Sequence, residues 1–144
     1  MPSLDHVGIR ASDLDRSVPF YRDMFGFVCE DRRFFPSGTV EAAMMRVSDQ
    51  SVIFLLADKD MGPLPPTDFG RPEHFCLVFE PDEFEAVMAR LEAAGVFERL
   101  KDCDLRPRTG AQGRTHSKYI LDPDNNLIEV KIRTEPAATG DAAA

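Results

Sequence analysis

Asp5-His6-Val7-Gly8-Ile9-Arg10 and, sixty-eight residues later, His74-Phe75-Cys76-Leu77-Val78-Phe79 decide how this chain reads. Each stretch has the look of a short strand, and in the first the period of two places His6, Gly8 and Arg10 on one face. After the first strand, Ser12 or Asp13 can cap a helix that runs to about Phe25 and stops at Gly26. Leu14, Val18, Tyr21 and Phe25 form its apolar stripe, while Pro19 predicts a shortened or kinked first turn. After the second strand, Pro81-Asp82-Glu83 opens another helix, with proline at an early helical position. Phe84, Val87, Met88 and Leu91 are its stripe and Gly95 its end. A strand, a helix and a stopping glycine occur twice, each time with a histidine near the start of the strand. That is a duplicated unit.

Between the copies lie three more strand candidates, Phe27 to Arg33, Val40 to Val47 and Ser51 to Ala57. The proline- and glycine-rich stretch 58–71 reads as a linker. Beyond the second helix the pattern predicts a strand from Val96 to Leu100, a polar basic loop through Arg114, and a strand from Thr115 to Leu121. Asp122-Pro123-Asp124-Asn125-Asn126 is a strong turn signal leading into a last strand, Leu127 to Ile132. Thr134 to Ala144 reads as a disordered tail. The order βαβββ, twice, predicts an α+β fold rather than alternating βα units on a parallel sheet. The expected domain is 1–133, with one module at about 4–57 and a second at about 72–133.

A length of 144 residues with 43% hydrophobic content suits one compact domain, or two half-size modules sharing a core. The net charge of −8 argues against a nucleic-acid partner, which needs a basic face. No apolar run is long enough for a signal peptide or a membrane helix, so a cytoplasmic location is expected. Cys29, Cys76 and Cys103 contain no CxxC pair, which disfavours a zinc knuckle or redox dithiol.

DHVGIRASDLDRSVPFYRDMFGF near the start and YILDPDNNLIEV near the end resemble the vicinal-oxygen-chelate superfamily. That group includes glyoxalase I, fosfomycin resistance enzymes, extradiol dioxygenases, methylmalonyl-CoA epimerase and metal-free bleomycin-binding proteins. The resemblance runs from Leu4 to Arg133 and implies two βαβββ modules curled into an open cup, with helices outside and a divalent metal within. It also implies a metal held by His6, His74 and Glu129. The residues support this independently. His6 and His74, two of three histidines, stand at equivalent points of a repeat, and Glu129 lies opposite the apolar face of Ile128, Val130 and Ile132. Two imidazoles and a carboxylate suit Fe or Mn, with Ni, Co and Zn also accommodated.

Glyoxalase I and the epimerase add a fourth ligand from the strand before the linker, where this chain has Phe54. The site is therefore expected to have three ligands and an open face, which points away from proton-shuttling isomerisation. The resemblance makes Tyr119, ten residues before Glu129, a candidate catalytic hydrogen-bond donor, and His116 is a second catalytic candidate although its spacing points it to the other face. Arg10, Arg108, Arg114, Lys118 and Lys131 are candidates for a positive rim. The resemblance implies a small oxygen-bearing substrate, with extradiol-type oxygenation placed ahead of fosfomycin-type thiol transfer or hydrolysis. Metal-free drug sequestration is the reading from another class. Open sheet edges predict a homodimer.

Overall fold

The protein is described here by a computed structural model covering residues 3–58, 60–62, 64–65, 73–100, 104–111 and 113–134. Its chain divides into two compact units. The first holds Met1–Thr67 together with the short segment Asp122–Asn126; the second holds Asp68–Leu121 and Leu127–Ala144.

In the first unit the order is β1 (His6–Ala11), α1 (Leu14–Phe25), β2 (Val28–Phe34), β3 (Val40–Ser48) and β4 (Ser51–Asp58). The strands form one open sheet in the order β1-β4-β3-β2. β1 runs parallel to β4 and the remaining pairs are antiparallel. Asp13 caps α1 by accepting from the Asp15 amide at 2.9 Å, and Gly26, at φ 77°, closes it in the left-handed conformation that favours glycine. The helix runs through Pro19 instead of being shortened there. Leu14 and Ser17 before the proline, and Tyr21 and Phe25 after it, are all buried, so both halves are anchored. Packing of α1 on β3 and β4 covers Ala43, Met45, Ile53 and Leu55, which supply the apolar side of this sheet.

The segment Asp122–Asn126 completes this unit by hydrogen bonding. Asp122 accepts from the Tyr21 hydroxyl (2.8 Å), from Asn126 Nδ2 (2.8 Å) and from the amides of Asp124 (2.8 Å) and Asn126 (2.9 Å). Asp124 accepts from Ser17 (3.0 Å), from Arg16 (2.9 Å) and from Ser12. Asn126 Nδ2 also donates to the Arg10 carbonyl, and Asn125 Nδ2 to that of Leu64, each at 2.7 Å. Burial pushes the Asp122 carboxyl above its ordinary range, against the pull of the bonds from Asn126 and Tyr21.

In the second unit the order is β5 (His74–Phe79), α2 (Pro81–Ala93), a 3₁₀ turn (Val96–Arg99), β6 (Arg106–Gly110), β7 (Gly113–Leu121) and β8 (Leu127–Ile132). Its open sheet runs β5-β8-β7-β6, with β5 parallel to β8. Phe84, Val87 and Leu91 of α2 are buried, and the helix packs on β5 and β8. The strand expected at Val96 to Leu100 is instead that single 3₁₀ turn. Gly95, at φ 68°, turns the chain sharply, and the buried pair Val96 and Leu100 recurs at helical spacing. The sixth strand lies in the stretch read as a polar loop. It is an edge strand with no apolar alternation, because it pairs with β7 alone. The two units thus repeat βαβββ as an α+β fold with two mixed four-stranded sheets. Among the described residues no helix is long and apolar enough to cross a membrane. The tail expected to be disordered lies, from residue 135 on, outside the described residues.

Candidate metal centre

Strand alternation in β8 sends Ile128 and Val130 to the apolar side of the second sheet and Glu129 and Lys131 to the other. In register, Glu129 stands between Cys76 of β5 and Tyr119 of β7. Its side chain is buried, so its charge must be met by neighbours. Ser117 Oγ donates to Glu129 Oε1 at 2.5 Å. Glu129 Oε2 lies 3.3 Å from His74 Nε2. The Tyr119 hydroxyl is 3.4 Å from the same nitrogen, and the His74 and Tyr119 rings meet edge to face at 5.1 Å. Arg108 closes the group. Its guanidinium lies 4.6 Å over the Tyr119 ring and donates to both the hydroxyl and the carbonyl of Ser117. Cys76, beside Glu129, has its thiol pushed up to about 12, by burial first and then by the carboxylate.

His6 belongs to the first unit, on β1. Its Nδ1 bonds Asp5 Oδ1 at 2.6 Å. A carboxylate accepts only, so Nδ1 is the donor in this bond and Nε2 is the nitrogen turned away from Asp5. The His6 ring meets Phe54 of β4 edge to face at 5.3 Å, placing an aromatic ring where a fourth ligand was sought. His116 is exposed and lies on the side of β7 shared with Lys118 and Ile120, opposite Ser117 and Tyr119. Within either unit, the described residues gather no group of three or more His, Cys, Asp or Glu side chains able to hold an ion.

Within the second unit, His74 and Glu129 are spaced as two ligands of one divalent ion would be. Two ligands each about 2.1 Å from an ion and at right angles are about 3 Å apart. The 3.3 Å between His74 Nε2 and Glu129 Oε2 is close to that separation. Ser117 occupies the other carboxylate oxygen, which leaves Oε2 to face the imidazole.

A family model described as Glyoxalase/Bleomycin resistance protein/Dioxygenase superfamily matches residues 3–130. The chain belongs to this superfamily. Lactoylglutathione lyase of Schizosaccharomyces pombe is 30% identical to it over 156 residues, covering 92% of the chain and 48% of that protein. The chain therefore spans about half the length of that relative. Glutathione transferase FosA of Serratia marcescens is 27% identical over 132 residues, covering 92% of the chain and 82% of the transferase. The fosfomycin resistance protein FosX of Listeria monocytogenes, solved with Mn(II) and a sulfate ion, has a TM-score of 0.64 at 17% identity. It covers 93% of this chain and 94% of its own, a likeness of fold.

Of the residues selected from the sequence of this superfamily member, His74, Glu129 and Tyr119 come together in the second unit. Arg108 and Lys131 lie among them, the first on Tyr119 and the second two residues beyond Glu129. Ser117 and Asp5 were missed. Thr115, Ser117 and Tyr119 alternate along β7 on Glu129's face, a polar period-two pattern that a reading focused on Tyr119 passes over. Asp5 precedes His6 directly, and adjacency alone does not signal a side-chain bond.

Proposed function

We propose that this chain is a divalent-metal-dependent enzyme that binds a small substrate through the substrate's own oxygens, with His6, His74 and Glu129 as ligands. The observation carrying this reading is the convergence of His74 Nε2 and Glu129 Oε2, with Ser117 holding the other carboxylate oxygen. A divalent ion at that point would act as a Lewis acid toward a substrate oxygen. Ser117 holds Glu129, so that carboxylate is oriented in advance, and His6 is bonded to Asp5 through the nitrogen that does not face the ion. The Tyr119 hydroxyl donates a hydrogen bond to a substrate oxygen, and Arg108 over its ring favours the charge that builds there.

Within this frame, transfer of a thiol such as glutathione, or of water, ranks ahead of extradiol oxygenation. This reverses the order read from the sequence, and one observation supports it: FosA, a glutathione transferase, shares most of its length with this chain. Phe54 beside His6 sets aside the four-ligand isomerases and does not separate these two. In the transfer, sulfur bonds to an electrophilic carbon, a carbon–oxygen bond breaks, and the thiol proton passes to the departing oxygen. The test is Mn²⁺-loaded protein given glutathione with fosfomycin, followed by loss of free thiol, and given catechol, followed by oxygen uptake. Thiol loss that depends on Mn²⁺ and falls at least about a hundredfold in Glu129→Gln is expected. Oxygen uptake alone would reverse the ordering. Failure of the wild-type chain to bind Mn²⁺, Fe²⁺, Ni²⁺, Co²⁺ or Zn²⁺ would end the metal reading and favour drug sequestration. We also propose a homodimer, tested by light scattering on a sizing column, where a monomer at micromolar concentration would refute it.

A further inference from the structure

Lys131 is a buried lysine, 3% exposed, on the same side of β8 as Glu129. A buried ammonium is costly unless it is well bonded, and a hydrophobic residue of similar size would normally serve better. Among the described residues no carboxylate pairs with it. Its Nζ donates instead to two main-chain carbonyls of the β6–β7 hairpin, Arg108 O at 2.7 Å and Gly113 O at 3.3 Å. At Gly110 of the same hairpin, an added Cβ would stand 3.0 Å from Nζ. A hairpin cradles the charge from both of its strands. Solvent does not reach Lys131, so it is not placed to touch a substrate.

We propose that Lys131 is a positioning residue: its ammonium pins the β6–β7 hairpin and thereby holds Arg108 against Tyr119 and Ser117. β6 is an edge strand of five residues, paired on one side only, and such a strand is loosely held without an added tie. The pinned carbonyl belongs to Arg108 itself. The Arg108 side chain then bonds Ser117 and covers Tyr119, and Ser117 bonds Glu129. The tie through Lys131 thus ends on the groups that orient the carboxylate. The inference concerns the metal-free protein. It deepens the function proposed above only where it predicts ion affinity.

The chain has two tyrosines and no tryptophan, so ¹³C-labelled tyrosine gives one signal for Tyr21 and one for Tyr119. In metal-free Lys131→Met the Tyr119 ring signals are expected to shift and broaden while those of Tyr21, in the other unit, stay in place. Mn²⁺ affinity is expected to fall about tenfold, the size of effect typical for outer partners of a ligand. Gly110→Ala serves as a second variant. The methyl meets only the tip of a flexible side chain, so the fold is retained while the ammonium is displaced, and the Tyr119 signal should move in the same direction. An unchanged Tyr119 signal in folded Lys131→Met overturns the proposal. So does an unchanged signal in Gly110→Ala should Lys131→Met fail to fold. A moved Tyr119 signal in a protein that binds no Mn²⁺ even as wild type would sustain the positioning role and refute the metal reading separately.

Discussion

Ser117 Oγ and Glu129 Oε1 share one short hydrogen bond, and its loss should be felt at the other oxygen of the carboxylate. Ser117→Ala is expected to weaken Mn²⁺ binding by about 10- to 100-fold in a calorimetric titration, with little change in far-ultraviolet circular dichroism. Asp122 offers a separate prediction. Its folded carboxyl titrates above the ordinary 3.8, so the folded state keeps a proton that the unfolded chain has lost. Its contribution to stability is therefore fully present below 3.8 and is lost as pH rises through the folded value. The stability advantage of wild type over Asp122→Asn, read from urea midpoints, should narrow as pH rises through that interval. A gap that widens instead would contradict the raised value. At this scale His74 was legible from the repeat, Glu129 from its place opposite the apolar face of its strand, and Tyr119 from the resemblance of YILDPDNNLIEV to the superfamily. Ser117 shares the polar alternation of Tyr119, but its register partner is Lys131, and nothing in the sequence shows that its hydroxyl reaches diagonally to Glu129.

At the scale of elements, α1 carries a proline at its sixth position, where the missing amide would have bonded to the Asp15 carbonyl. Pro19→Ala is expected to raise stability by about 1–2 kcal/mol in urea unfolding, the helix gain outweighing the freer unfolded chain. Leu91 of α2 is fully buried, and Leu91→Ala should cost about 2–5 kcal/mol by the same measurement. Both helices, and every strand with an apolar face, were legible from periodicity. β6 was not, because Arg106-Pro107-Arg108-Thr109-Gly110 buries no apolar stripe and is specified by the backbone of β7. The 3₁₀ turn at Val96–Arg99 was mistaken for a strand because a run of four residues after a glycine carries too little periodicity to tell the two apart.

At the scale of the whole molecule, the duplicated βαβββ order was visible in the two histidine strands, while the ownership of Asp122–Asn126 was not. The motif reads locally as a turn joining two strands, and nothing in its spacing reveals that its partners are Ser12, Arg16, Ser17 and Tyr21, more than a hundred residues earlier. One consequence concerns cutting the gene. A peptide of residues 1–65 would carry every strand and helix of the first unit yet lack the acceptors for two buried hydroxyls, Ser17 and Tyr21. Each orphaned group costs about 1–3 kcal/mol, a large share of what so small a body can muster. Such a peptide should therefore be loosely ordered alone and take up fixed structure when mixed with residues 73–144, a split-protein reporter already written into the fold. Heteronuclear spectra of the labelled N-terminal piece, before and after an equimolar addition of the other, would display the change; sharp, dispersed resonances before mixing would dismiss it.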